Sequence, residues 1–222
     1  MNISSGKKSG TYQIPISSRV SLEGNLSIPE QPRGMVLFVH GSGSSRFSPR
    51  NQYVARVLQE ARFATLLIDL LTKQEEEQDL YTGHLRFNID LLSERVVEVT
   101  NWLTSQLGIK DLKIGYFGAS TGAAAALVAA ARLPLIVRAV VSRGGRPDLA
   151  SAFLPRVKAP TLLIVGSRDT QVIQLNQTAL SLLQAEKRLV LVEGATHLFE
   201  EPGALEQVAR IACEWFEQYL PT

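Results

Sequence analysis

The pentapeptide Gly118-Ala119-Ser120-Thr121-Gly122 carries the clearest chemistry in this chain. It matches G-x-S-x-G and lies between an apolar run at 113–117 and an alanine-rich helical segment at 121–132. In that context the serine sits on a sharp strand-to-helix turn, with glycines two before and two after to keep Cβ atoms out of the crossing. The hydroxyl is then exposed above a sheet, beside a helix N-terminus that offers backbone N–H groups and positive potential. This is the arrangement of a nucleophile.

A serine hydroxyl is a weak nucleophile without a base. Of the three histidines, His197 follows the last strand-like run and comes after the serine, which makes it the candidate base. His40 reads as a turn-fixing residue and His84 as a surface or loop-packing one. A base needs an acid to hold its tautomer and stabilise the imidazolium. Asp169 follows the run at 161–165, and the order Ser120…Asp169…His197 is the one described for α/β-hydrolases. Asp69 precedes the nucleophile and reads as a loop anchor. Glu193, at the end of the last run, reads as a supporting group. The oxyanion of a tetrahedral intermediate needs donors. The Thr121 amide is one, and the loop His40-Gly41-Ser42-Gly43-Ser44-Ser45 supplies the other, with Ser42 first and Gly43 next.

These residues must be positioned by a scaffold. Two β-rich runs, 11–16 and 19–28, open the chain as an antiparallel pair turning at Ser17-Ser18. Short apolar runs then alternate with helical patterns. The runs at 35–39, 65–68, 113–117, 138–142, 161–165 and 189–192 are near-continuous, as expected of strands buried on both faces of a parallel sheet. Helical period marks 49–61, with Ser48 as N-cap and Pro49 at the first helical position. It also marks the stripe Leu85, Ile89, Leu92, Val96, Val99, Leu103, Leu107, the segment 121–132, the set Val172 to Leu183, and the set Leu205 to Tyr219. The polar run 73–79 reads as a solvated surface loop. The order predicts one domain over 1–222: a doubly wound, mostly parallel eight-stranded α/β sheet with helices on both faces and two antiparallel N-terminal strands. The excursion at 70–90 is too short for a substantial cap domain.

At these residues the chain resembles the α/β-hydrolase superfamily, and most of all its dienelactone-hydrolase-like branch. The resemblance rests on the His-Gly loop at 40–45, the elbow at 118–122, Asp169 and His197, together with the stretches 44–51 and 69–72. It implies a serine hydrolase that cleaves a small carboxylic ester or lactone through an acyl-enzyme. Dienelactone hydrolase proper uses a cysteine nucleophile, whereas position 120 here is serine, so the triad carries over and dienelactone as substrate does not. Thioesterase, acyltransferase or peptidase chemistry can run on the same site, and a non-catalytic ligand-binding protein of this fold is the alternative from another class.

Other classes fit less well. Gly41-Ser42-Gly43-Ser44-Ser45-Arg46 follows a strand but lacks the third glycine of a dinucleotide fingerprint. No P-loop occurs, no metal-ligand spacing is present, and no cofactor is expected. The 222 residues are 45% hydrophobic and 20% charged, with 23 basic against 21 acidic side chains. That balance argues against nucleic-acid or membrane partners. The single cysteine, Cys213, cannot close an internal disulfide, and no signal-like apolar segment opens the sequence, so a cytoplasmic location is expected. Arg143 and Arg146 follow the run at 138–142, and Arg46 and Arg50 flank the oxyanion loop. With Arg168 they raise the expectation of an anionic substrate, Arg143 foremost.

Overall fold

The central apolar runs form strands because each is covered on both faces, whereas the edge run at 189–192 leaves Leu191 exposed. In β3 (Met35–Val39), Met35, Leu37 and Val39 face one core and Val36 and Phe38 the other, all buried. The computed structural model describes residues 8–106 and 108–221. Its remaining strands are β1 (Lys8–Pro15), β2 (Ser21–Ile28), β4 (Ala64–Ile68), β5 (Ile114–Ala119), β6 (Val137–Arg143), β7 (Thr161–Gly166) and β8 (Lys187–Val192). They form one sheet in the order β1-β2-β4-β3-β5-β6-β7-β8. β1 and β2 pair antiparallel, β2 runs antiparallel to β4, and every pairing from β4 to β8 is parallel.

Helices α1 (Pro49–Glu60) and α6 (Ala204–Tyr219) supply Val54, Leu58, Val208, Ala212 and Phe216 to one core. On the opposite face, α3 (Ile89–Ser105), α4 (Thr121–Arg132) and α5 (Thr170–Leu182) contribute Leu92, Val96, Val99, Leu103, Ala179 and the α4 alanines. Small side chains along α4 let it lie close to the sheet. The α1 start is as expected: Ser48 accepts from the Asn51 amide, and Pro49 takes the first helical position. Among the described residues no helix is long and apolar enough to cross a membrane.

Two boundaries differ from expectation. The stripe from 85 to 107 becomes a helix only from Ile89, because Asn88 caps it by accepting from the Leu91 amide; Leu85 precedes it and Leu107 lies outside the described residues. The polar run at 73–79 is not a loop but helix α2 (Lys73–Thr82). Thr72 and Glu75 form a reciprocal capping box: the Glu75 amide donates to Thr72 Oγ1 at 3.2 Å and the Thr72 amide to Glu75 Oε2 at 2.8 Å. Such a box stabilises the first turn without any apolar stripe. Asp79 closes the other end, accepting from the Leu85 amide at 2.6 Å and Arg86 Nε at 2.6 Å.

Candidate active site

Ser120 follows β5 and opens α4 with φ 50° and ψ −124°. A non-glycine residue at positive φ stores roughly 1–3 kcal/mol of strain and persists only where its surroundings enforce it. Here the enforcement is visible. A Cβ at Gly122 would lie 2.2 Å from the His40 carbonyl oxygen, and one at Gly118 would lie 2.9 Å from the Ala123 amide nitrogen. Both glycines are therefore required by close approach, which drives the head of α4 against the end of β3. The Ser120 amide donates to the Arg143 carbonyl at 3.2 Å, and the Ser120 carbonyl accepts from the Arg146 amide at 3.0 Å. Gly41 of the β3 loop packs over the serine: a Cβ there would meet Ser120 Cβ at 2.9 Å and Oγ at 3.6 Å.

Asp169 stands at the N-cap position of α5 but makes no capping bond. Its carboxylate instead accepts from His197 Nδ1 at 2.6 Å. That leaves Nε2 as the ring nitrogen for proton exchange. The loops after β7 and β8, which carry the two residues, are tied together. The Arg168 amide donates to the Ala195 carbonyl at 2.9 Å, and the Gly194 amide to Ser167 Oγ at 2.8 Å. Glu201 accepts from the Thr196 hydroxyl at 2.6 Å and steadies the residue before His197. The His197 ring is next to the loop that pins Ser120: a Cβ on Gly144 would lie 3.5 Å from His197 Cε1. Among the described residues the Ser120 hydroxyl has no hydrogen-bond partner, His197 included.

The oxyanion side departs from expectation in one atom. Thr121 occupies the first position of α4, where its amide has no partner within the helix. The Ser42 amide, by contrast, donates to Thr121 Oγ1 at 2.8 Å. The two expected donors are thus brought together, but the proton of one is taken by the side chain of the other. His40 fixes the loop: Nδ1 donates to the Gly41 carbonyl at 2.8 Å and Nε2 accepts from the Leu70 amide at 3.1 Å. Burial holds its pKa below the usual range, against the opposing pull of the Gly41 carbonyl and Asp69, so the ring stays neutral and bridges two loops. His84 is exposed.

The arginines are placed differently from the expectation of a carboxylate clamp. Arg46 is buried, with Nη1 on Asp69 and Nη2 on Glu23; the pair explains Asp69 as an anchor and leaves no free fork for a ligand. Arg146 binds Asp148 through Nε at 2.9 Å and Nη2 at 2.8 Å. Arg143 is buried under the His197 loop, donating to Asn51 Oδ1 at 3.0 Å with its guanidinium 5.9 Å from the Phe199 ring centroid. Arg168 is exposed. Sequence reasoning missed Asn51 and Phe199 as partners of Arg143; Phe199 is buried at φ 56°, and nothing in its spacing marks it. It also missed α2, for which Thr72 and Glu75 were the available signal. Among the described residues no group of three His, Cys, Asp or Glu could hold a metal ion.

A cavity of about 690 Å³ opens between the oxyanion loop and α2. His40 to Ser45 form one wall, Leu70, Leu71 and Leu92 contribute apolar lining, and Glu76, Asp79 and Leu80 come from α2.

Residues 22–220 match the model of the dienelactone hydrolase family. A crystal structure of dienelactone hydrolase from Anabaena variabilis is 61% identical, superposes with a TM-score of 0.94, and the match covers 96% of this chain and 99% of that one. A relative from Mycobacterium tuberculosis, provisionally named a phosphoribosyl transferase, is 57% identical over 205 residues. That match takes in 92% of this chain but 45% of the relative, so the chain spans about half the length of the curated relatives it matches. Est1E from Butyrivibrio proteoclasticus shares the fold at 17% identity, with a TM-score of 0.78 over 94% of this chain and 98% of that one.

Proposed function

The chain belongs to the dienelactone hydrolase family, and on that premise we propose that it is a serine hydrolase cleaving a small carboxylic ester or lactone. The observation that carries this reading is the 2.6 Å contact of Asp169 with His197 Nδ1, beside a serine held at φ 50° on the elbow. Ser120 attacks the acyl carbon while His197 Nε2 takes the hydroxyl proton. Asp169 stabilises the imidazolium that results. The tetrahedral intermediate collapses as His197 returns the proton to the leaving alkoxide. Water then repeats the sequence on the acyl-enzyme and frees the acid. The transferase activity in the mycobacterial name belongs to proteins more than twice this length and does not enter this mechanism.

Among the described residues the cavity offers no free cation to an anionic substituent. Three cationic side chains line it, Arg50, Lys73 and Arg86, against three acidic ones, Glu76, Glu77 and Asp79. Each cation already has a carboxylate: Arg50 with Glu200 at 3.0 Å, Lys73 with Glu23 at 3.7 Å and Arg86 with Asp79 at 2.6 Å. Leu70, Leu71 and Leu92 offer apolar contact instead. The volume is within the usual ~300–1,000 Å³ of a small-molecule site.

The test is a panel of p-nitrophenyl esters, lactones and thioesters on wild type and Ser120→Ala. Esters or lactones should be turned over, and the variant should lose about 10⁴-fold in kcat with its fold intact. Mass spectrometry after a fluorophosphonate should find the adduct on Ser120. An adduct elsewhere, or an active Ser120→Ala, overturns the mechanism.

A further inference from the structure

We infer that the side-chain hydroxyl of Thr121, and not the Ser42 amide, is the second donor to the oxyanion. The inference rests on the acyl-transfer reading above and names an atom of that site. Thr121 Oγ1 accepts the Ser42 amide proton at 2.8 Å. Its own proton has no acceptor among the described residues, although Thr121 is 5% exposed. A hydroxyl that accepts one hydrogen bond can still donate one. The Thr121 amide, on the same residue, is the first unpaired donor of α4. One residue therefore carries two donors beside the nucleophile.

The close approach that makes this possible is built into the backbone. Gly122 lies so near the Val39 and His40 carbonyl oxygens that a Cβ would stand 2.3 and 2.2 Å from them. This clamps the head of α4 on the loop carrying Ser42. The Ser42 amide then polarises the hydroxyl, and donors in such chains strengthen one another. In the proposed step the Ser120 Oγ–carbon bond forms and the carbonyl electron pair moves to oxygen. His197 takes the serine proton. The Thr121 proton is shared with the new oxyanion and is not transferred.

The experiment compares Thr121→Val, Thr121→Ser and wild type on a turned-over p-nitrophenyl ester. Valine keeps the shape and removes the hydroxyl; serine keeps the hydroxyl. Removing one oxyanion donor costs roughly 10²–10³-fold in kcat. Thr121→Val should therefore fall by about 10²-fold in kcat with KM changed less than about threefold, and Thr121→Ser should stay within about fivefold of wild type. Inhibition by a phenylboronic acid, which forms a tetrahedral adduct, should weaken in Thr121→Val in parallel with kcat. If Thr121→Val keeps or gains activity, the hydroxyl merely occupies the Ser42 amide and the inference fails. If both variants lose activity alike, or if KM rises while kcat holds, Thr121 is packing the loop and the inference fails too. Ser120 labelling in wild type and the inactivity of Ser120→Ala test the acyl-transfer reading separately, so either can fall without the other.

Discussion

Replacing Arg46 with methionine separates an anchor from a substrate clamp. Arg46 is 8% exposed and Asp69 9%. The guanidinium bonds Asp69 and Glu23 and stands 4.2 Å from the Phe47 ring centroid. Methionine fills much of the volume but leaves the Asp69 carboxylate with the Arg46 backbone amide, now at 2.7 Å, as a remaining donor. Breaking a buried pair by removing one member costs ~3–5 kcal/mol, because the other charge is stranded. The retained amide bond argues for the lower end, about 3 kcal/mol. For a chain of this length the unfolding entropy is about 0.5 kcal/mol per degree, so Tm should drop by about 6 °C. Neutralising the stranded carboxylate in Arg46→Met/Asp69→Asn should recover at least half of that loss. The acid side gives a second reading. Burial raises the Glu23 pKa, but Arg46, Lys73 and Gln13 outweigh it and hold the carboxyl below its ordinary 4.5. A depressed carboxyl contributes stability above its unfolded pKa and loses it as pH falls through the folded one. Wild type should thus lose stability below about pH 4.5, and Arg46→Met less steeply. The assay is thermal unfolding from pH 3.5 to 8, beside turnover of a neutral ester and its carboxylate analogue. An unchanged Tm with selective loss of the carboxylate substrate would refute the anchor and restore Arg46 to the substrate.

Asp169→Asn keeps the shape but removes the charge bonded to His197 Nδ1, and should lower kcat by ~10²–10⁴ while Tm moves little; Asp69→Asn assayed beside it should reduce stability instead. His40, whose pKa is depressed, favours folding while neutral, so Tm should fall as pH drops below about 6.5. His40→Gln should flatten that limb, and an unchanged slope would sink the assignment. Leu71→Trp should fill part of the cavity: turnover of a bulky ester should drop ~10-fold or more relative to the acetate, whereas equal losses would place the substrate elsewhere.

Much of the candidate site was legible because the arrangement of its residues depends on short local patterns. The elbow needs glycine on both sides of Ser120 for a steric reason, supplied by the Val39 and His40 carbonyls crowding Gly122 and the Ala123 backbone crowding Gly118. Asp169 and His197 are readable as residues after strands, since parallel strands in one sheet bring their following loops to one edge. The central strands declared themselves as continuous apolar runs because both faces are buried, and β2 by alternation because one face is. Helix α2 did not, because nothing apolar repeats along it; its start lies in the reciprocal bonds of Thr72 and Glu75, which a search for hydrophobic period passes over.

The arginines mark a different boundary. Sequence order places Arg46, Arg143 and Arg146 near the sheet edge that carries Ser120, but the destination of a guanidinium depends on partners remote in the chain. Arg46 meets Glu23 across the sheet, and Arg143 meets Asn51 of α1. Arg143 also shows why a charge near a site need not face a ligand. Burial and the neighbouring Arg50 push its pKa down to about 10, yet it remains a cation at neutral pH with its Nε unpartnered. It lies between α1, which follows the oxyanion loop, and Phe199, two residues beyond His197. Its backbone carbonyl accepts from the Ser120 amide. One residue thereby touches the supports of Ser120, His197 and the loop at 40–45, and that shared contact favours holding the parts in register over reaching for substrate.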